Sequence, residues 1–158
     1  AYPVEAVTVM DRTACAGEND PRDQPGLEAQ RDTPLETTPD AIMQAVHDVT
    51  HTIHAKCIVS WTGSGSTGLR AARERPEAPI IALTPSIQTA RRLCIAWGLH
   101  CVLTEDAHDL DDVVERAAEI AYREGFAKAG ERIVVTAGVP LGTPGATSLL
   151  RVAFVGGK

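Results

Sequence analysis

Six consecutive residues, Thr62-Gly63-Ser64-Gly65-Ser66-Thr67, hold the densest set of small donors in the chain. Glycines let a backbone come close to an anion, and Ser and Thr hydroxyls donate without bulk. If a helix follows, its first N–H groups are unpaired and its dipole favours negative charge. The chemistry this predicts is phosphate binding. An ordinary Gly/Ser turn that caps a helix fits the same residues, and local chemistry leaves both readings open. The pattern GxxxxGK[ST] is not present. A second loop, Gly138-Val139-Pro140-Leu141-Gly142-Thr143-Pro144-Gly145-Ala146-Thr147, also follows a strand-like run. Its prolines would stiffen it and reduce the entropy lost on binding. If both preceding strands are central, the two loops form one pocket, because ligands of open parallel sheets settle beyond the carboxyl ends of strands. The candidate effector- or phosphate-binding residues are Thr62, Gly63, Ser64, Gly65, Ser66, Thr67, Gly142, Thr143 and Gly145.

Other reactive residues make weaker patterns. His47, His51 and His54 share one helical face at i, i+4 and i+7, a spacing that can bind zinc. They lie opposite the apolar stripe and lack HExxH, so a solvated or interface-facing row is expected. Asp109, Asp111, Asp112 and Glu115 suit a helix start, not an acid/base pair. No GxSxG elbow occurs. Trp61 and Trp97 read as packing residues. Among Cys15, Cys57, Cys94 and Cys101 no two form CxxC. Cys57 and Cys101 lie in apolar runs and read as reduced core residues. No catalytic residue and no metal ligand is assigned to the chain.

The elements that must position the loops alternate. Val4, Val7, Met10 and Ala14 predict a helix over 3–16. Residues 17–36, rich in Pro, Gly and charge, read as a linker. Thr38 as N-cap and Pro39 open a helix to about 54, with an apolar stripe of Ile42, Ala45, Val46, Val49 and Ile53. Strands follow at 56–61, 79–83, 99–103, 132–136 and 149–155, and helices at 69–75, 86–96 and 109–128. This predicts an α/β fold: a three-layer α/β/α sandwich on a five-stranded mixed sheet. The 136–149 connection is short for a parallel crossover, so the last strand is expected to be antiparallel.

Bulk properties limit the partners. The 158 residues are 44% hydrophobic and 4% aromatic, with net charge −6. An acidic chain of this kind argues against nucleic acid. No run approaches the roughly 18 apolar residues of a membrane span, and no signal peptide is visible, so a cytoplasmic location is expected. The chain opens Ala1-Tyr2-Pro3 without Met, which suggests a piece of a longer protein.

Read in order, several segments resemble one family, the pyruvate kinases, in its C-terminal domain. Tyr2-Pro3-Val4-Glu5-Ala6-Val7, with Met10, is similar to the YPxEAVxxM segment of the last catalytic-barrel helix. Thr38-Pro39-Asp40-Ala41-Ile42 is similar to the first major helix of the C-terminal domain. Thr62–Thr67 fits TxSGx[ST]. Arg75-Pro76-Glu77-Ala78-Pro79-Ile80-Ile81-Ala82-Leu83-Thr84 resembles RPxAPIIAxT, continued by Thr89-Ala90-Arg91-Arg92-Leu93 and Trp97-Gly98. Residues 138–147 resemble the bacterial form of the family's final loop. The resemblance implies three regions: residues 1–16 as the last barrel helix, 17–36 as linker and 37–158 as the C-terminal domain. It also implies a homotetramer in which C-terminal domains pair. The 62–67 loop would hold the phosphate of a sugar-phosphate effector under the final loop.

Two departures bear on that effector. Ser66 stands where the family often has Arg or Lys. Val139-Pro140 stand where fructose-bisphosphate-responsive animal enzymes have Trp-Arg. Losing those charge-assisted contacts favours a hexose or pentose monophosphate. The parent reaction is phosphotransfer from phosphoenolpyruvate to ADP. By resemblance its catalytic residues and its Mg²⁺ and K⁺ ligands lie in the barrel, so this chain alone is expected to be inactive and to need no cofactor. A stand-alone module binding a phosphorylated metabolite is the alternative. A small independent phosphatase or transferase has no acid/base set to support it.

Overall fold

Val59 and Trp61 point to one side of their strand and Ile58 and Ser60 to the other, yet all four are buried. A strand hidden on both faces needs layers above and below it, and the fold supplies them. A computed structural model describes residues 2–18, 35–143 and 145–156. Most of the linker expected at 17–36, and Pro144 of the final loop, lie outside the described residues. The chain divides into two compact units, Ala1–Asp32 and Thr33–Lys158. The first contains helix α1, Pro3–Glu18, two residues longer than expected. The hydroxyls of Thr8 and Thr13 each donate to the carbonyl four residues back, at 2.8 Å.

The second unit contains, in order, α2 (Thr38–Thr52), β1 (Ile58–Trp61), α3 (Ser66–Arg73), β2 (Ile80–Thr84), α4 (Ile87–Leu93), β3 (Leu99–Leu103), α5 (Leu110–Arg123), β4 (Arg132–Gly138) and β5 (Thr147–Phe154). The strands form one sheet in the order β3-β2-β1-β4-β5. The pairs among β1 to β4 are parallel, and β5 runs antiparallel to β4, as the short connection requires. The expected five-stranded mixed sheet and α/β sandwich are therefore present.

Two cores flank the sheet. Val113, Ala117, Ile120 and Ala121 of α5 pack with Val59, Trp61, Ile81, Leu83, Ile133 and Val135. On the opposite face Met43 and Val46 of α2 and Ala71 and Ala72 of α3 pack with Ile58, Ile80 and Val134. Each fully buried aliphatic chain contributes roughly 1.5–3 kcal/mol. Gly68 of α3 lies where a Cβ would meet Ala82, Leu99 and Leu93 at 3.5–3.8 Å, so α3 sits close to the sheet beside α4.

Several boundaries differ from the sequence reading. The N-cap of α2 is Thr37, not Thr38. Its side chain accepts from the Asp40 N–H, and Pro39 falls inside the first turn. Helix α2 stops at Thr52 because His54 takes a left-handed conformation, φ 51°. That removes His54 from the row expected with His47 and His51. Helix α5 stops at Arg123, five residues short of expectation. Gly125 at φ 80° turns the chain, and the Phe126 N–H bonds back to Ala121 at 2.9 Å. No helix among the described residues is long and apolar enough to cross a membrane.

Candidate functional site

β1 and β4 are hydrogen-bonded neighbours, yet the chain leaves them in opposite directions. From β1 it crosses by α3 to β2 on one side, while β4 joins on the other. Doubly wound sheets open a crevice at such a switch point, outside the carboxyl ends of the two strands. Here the 62–67 loop follows β1 and the 139–146 loop follows β4. Between them lies a cleft of about 280 Å³, lined by Trp61, Thr62, Gly63, Ser64, Ser66, Thr67, Gly138, Gly142, Thr143 and Gly145. Eight of the nine candidate residues line it. Gly65 does not. It lies behind the loop, where a Cβ would come within 3.2–3.3 Å of Arg92, Leu93 and Thr89.

Local chemistry explains the loop's shape. The Thr62 N–H extends the β1–β2 ladder by donating to Leu83 at 2.9 Å. The Thr62 hydroxyl then accepts the Gly65 N–H at 2.8 Å and closes a tight turn. Gly65 serves as N-cap of α3 at φ 92°, a conformation that favours glycine. It offers no side-chain oxygen to the helix. Ser66, Thr67 and Gly68 therefore begin a helix whose first-turn N–H groups have no side-chain acceptor. The sequence reading assigned these three to a turn; they are the first turn of α3.

Charge along α3 is polarised. Its first turn has no acidic residue, and its last turn carries Arg70 and Arg73. Those arginines are held by buried Asp40 of α2. Arg73 donates to Asp40, and Arg70 lies 3.7 Å from the same carboxylate. The Thr37 hydroxyl and then the Arg73 guanidinium hold the Asp40 carboxyl below its ordinary value, against the opposing effect of burial. The C-terminal end of α3 is thus held by an ion pair to α2, while its N-terminal end faces the cleft.

The second loop is tied to the first. The Thr67 hydroxyl bonds the Thr147 hydroxyl at 2.9 Å, both residues being buried, and so joins the start of α3 to the start of β5. A Cβ on Gly138 would meet the Ala146 backbone at 3.1 Å, so the arms of the loop approach too closely for a side chain there. The Val139–Pro140 peptide is cis. Ser148 accepts the Val139 N–H at 3.2 Å. The candidate residues did not include Trp61, read as packing, or Gly138 and Thr147, the ends of the second loop. Thr89 and Arg92 stood only within a segment of family resemblance. They lie on a helix over twenty residues away in sequence, and no spacing marks them as part of the site.

The remaining candidates are dispersed. His51 and His54 are exposed and His47 is half-buried beside Asp48. No group of three or more His, Cys, Asp or Glu suited to a metal occurs among the described residues. Burial pushes the Cys57 thiol up to about 12. Burial, with help from neighbouring Cys94, pushes Cys101 to about 11. Cys15 and Cys94 are exposed.

Fold and site together define a class: a doubly wound α/β domain with a glycine-hydroxyl loop at its switch point. Comparison with known proteins makes the class particular. Residues 40–153 match the family model described as pyruvate kinase, alpha/beta domain, and the chain belongs to that family. It is 50% identical over 154 residues to a pyruvate kinase of Methylorubrum extorquens, covering 98% of this chain and 32% of that protein. It is 40% identical to one from Agrobacterium vitis, covering 99% of this chain and 33% of the relative. With a pyruvate kinase of Geobacillus stearothermophilus the identity is 36%, over 98% and 26% of the two chains. The chain thus spans about a quarter to a third of the length of these relatives.

Proposed function

We propose that residues 37–158 are the regulatory and tetramer-forming domain of a pyruvate kinase, and that α1 is the last helix of its catalytic barrel. In this reading the 62–67 loop binds the phosphate of a sugar monophosphate, and the 139–146 loop closes over it. The observation that carries the reading is the start of α3. A left-handed glycine replaces a side-chain cap, and the free donors line a cleft at the switch point. Among the described residues, the cleft lining contains no charged side chain. Neutral donors suit one phosphate better than two.

Phosphotransfer from phosphoenolpyruvate to ADP, with Mg²⁺ and K⁺, belongs in this reading to the barrel, and this chain alone is inactive. The effector acts by binding the active tetramer more tightly than the inactive one. Pairing of domains is supported by β5, an edge strand on which Val152 and Phe154 are 39% and 52% exposed.

Isothermal titration of the chain with glucose 6-phosphate and ribose 5-phosphate, alongside light scattering, tests the reading. Saturable binding of one phosphate ligand per chain is expected, with an assembly larger than a monomer. No heat and no thermal shift at millimolar ligand would remove the effector role. A strict monomer would remove the pairing role.

A further inference from the structure

A backbone loop can face a phosphate only if its carbonyl oxygens, which repel an anion, are turned elsewhere. In the 62–67 loop the Gly63 and Ser64 carbonyls both have partners on α4. The Thr89 hydroxyl donates to the Gly63 carbonyl at 2.9 Å, and the Arg92 guanidinium donates to the Ser64 carbonyl. A trans peptide places N–H opposite C=O, so fixing the Gly63 carbonyl on α4 turns the Ser64 N–H away from α4. Arg92 also touches the position of Gly65 from behind. No carboxylate among the described residues pairs with Arg92, whereas Arg70, Arg73 and Arg116 all have acidic partners. Its positive charge is therefore uncompensated directly behind the loop.

We infer that Arg92 is the positioning residue of the phosphate site. It draws the Ser64 carbonyl back toward α4, and it supplies from behind the loop the positive charge that Ser66 does not supply within it. Thr89 fixes the preceding carbonyl in the same sense. This rests on the site reading above and names the phosphate monoester dianion as the group recognised. A single cation, one backbone layer away, favours one phosphate without demanding a second.

The test uses the 158-residue chain, ¹⁵N-labelled, as wild type, Arg92→Ala, Arg92→Lys and Arg91→Ala. The Arg91 variant removes the same charge from the same helix without touching the loop. Two readouts separate the claims. Without ligand, Arg92→Ala should shift the Ser64 and Gly65 amide resonances, and Arg91→Ala should leave them in place. With inorganic phosphate and with glucose 6-phosphate, Arg92→Ala should weaken binding about tenfold. Arg92→Lys should restore most of it, and Arg91→Ala should stay within twofold of wild type. Unmoved loop resonances in Arg92→Ala overturn the positioning role. Equal affinities for wild type and Arg92→Ala, or equal losses in both Ala variants, overturn the electrostatic role. If wild type shows no phosphate-dependent shift at 62–67, the site reading fails and the inference falls with it. That result is recognisable because the ligand-free shifts in Arg92→Ala would persist.

Discussion

Helices α3 and α5 begin in opposite ways. At α5, Asp109 caps the Asp112 N–H at 2.9 Å, and the Asp112 carboxylate accepts the His108 N–H at 3.0 Å. Asp111 adds a third acid in the same turn. The chain itself supplies the negative charge that the helix dipole favours. At α3 a left-handed glycine stands in the cap position, with no acid in the first turn and no side-chain acceptor. Both helices have the same backbone physics and the same need for an anion. One meets it internally, and the other presents it to a cleft. The difference separates a helix start that the chain caps with its own acids from one left open to the cleft.

Ser66→Asp should break the comparison most sharply, by giving α3 the kind of carboxylate that α5 has. A carboxylate at the first helical position favours the dipole by about 0.3–1 kcal/mol, so thermal stability should hold or rise. It also sets like charge against an incoming phosphate. Two unit charges about 4 Å apart repel by roughly 4 kcal/mol at an effective dielectric near 20. Calorimetric affinity for glucose 6-phosphate should therefore fall at least about tenfold, while Ser66→Lys should raise it. A Ser66→Asp variant that binds as well as wild type would show that the start of α3 is not the anion site.

The second test concerns the other end of α3, where Asp40 holds Arg73 and Arg70. Removing a hydrogen bond to a charged group costs about 1.5–3 kcal/mol. Asp40→Asn should lower stability by about that amount at pH 7, measured by urea unfolding. Asp40 is held below its ordinary value of 3.8, so it stays ionised in the folded chain at a pH where the unfolded chain is already protonated. Its contribution is complete above about pH 4 and is lost as pH falls through the lower folded value. The gap between wild type and Asp40→Asn should therefore be constant from pH 6 to 8 and close below pH 4. A gap that grows in acid would contradict the ionised pairing.

The contrast between the two helix starts was only half legible in the sequence. The acids at 109–112 announce a capped helix because the capping oxygen lies in the side chain that is read. The five-stranded mixed sheet and its antiparallel last strand were also legible, since apolar runs and connection lengths constrain them, whereas the strand order came only from the structure. The start of α3 was not, because Gly65 caps by its φ angle and a glycine carries no letter for conformation. Ser66 to Gly68 consequently read as turn, and α3 gained three residues. Arg92 was hidden for another reason. Its partner is a main-chain carbonyl 28 positions away, and main-chain groups are identical at every residue. The helix expected over 109–128 ends at Arg123 because Gly125 at φ 80° turns the chain.

The smallest expected effect lies at α5 and is the control that gives the others meaning. Asp109→Ala removes a capping oxygen whose loss typically costs about 1 kcal/mol. Asp112 and Asp111 remain to favour the dipole, so the cost should fall at or below that figure. No residue of the α5 start lines the cleft, so affinity for glucose 6-phosphate should stay within about twofold. Stability would thus fall without binding, while Ser66→Asp would lose binding without stability. If Asp109→Ala weakened phosphate binding as much as Ser66→Asp does, ligand affinity would track global stability. The two helix starts would then differ in sequence but not in purpose.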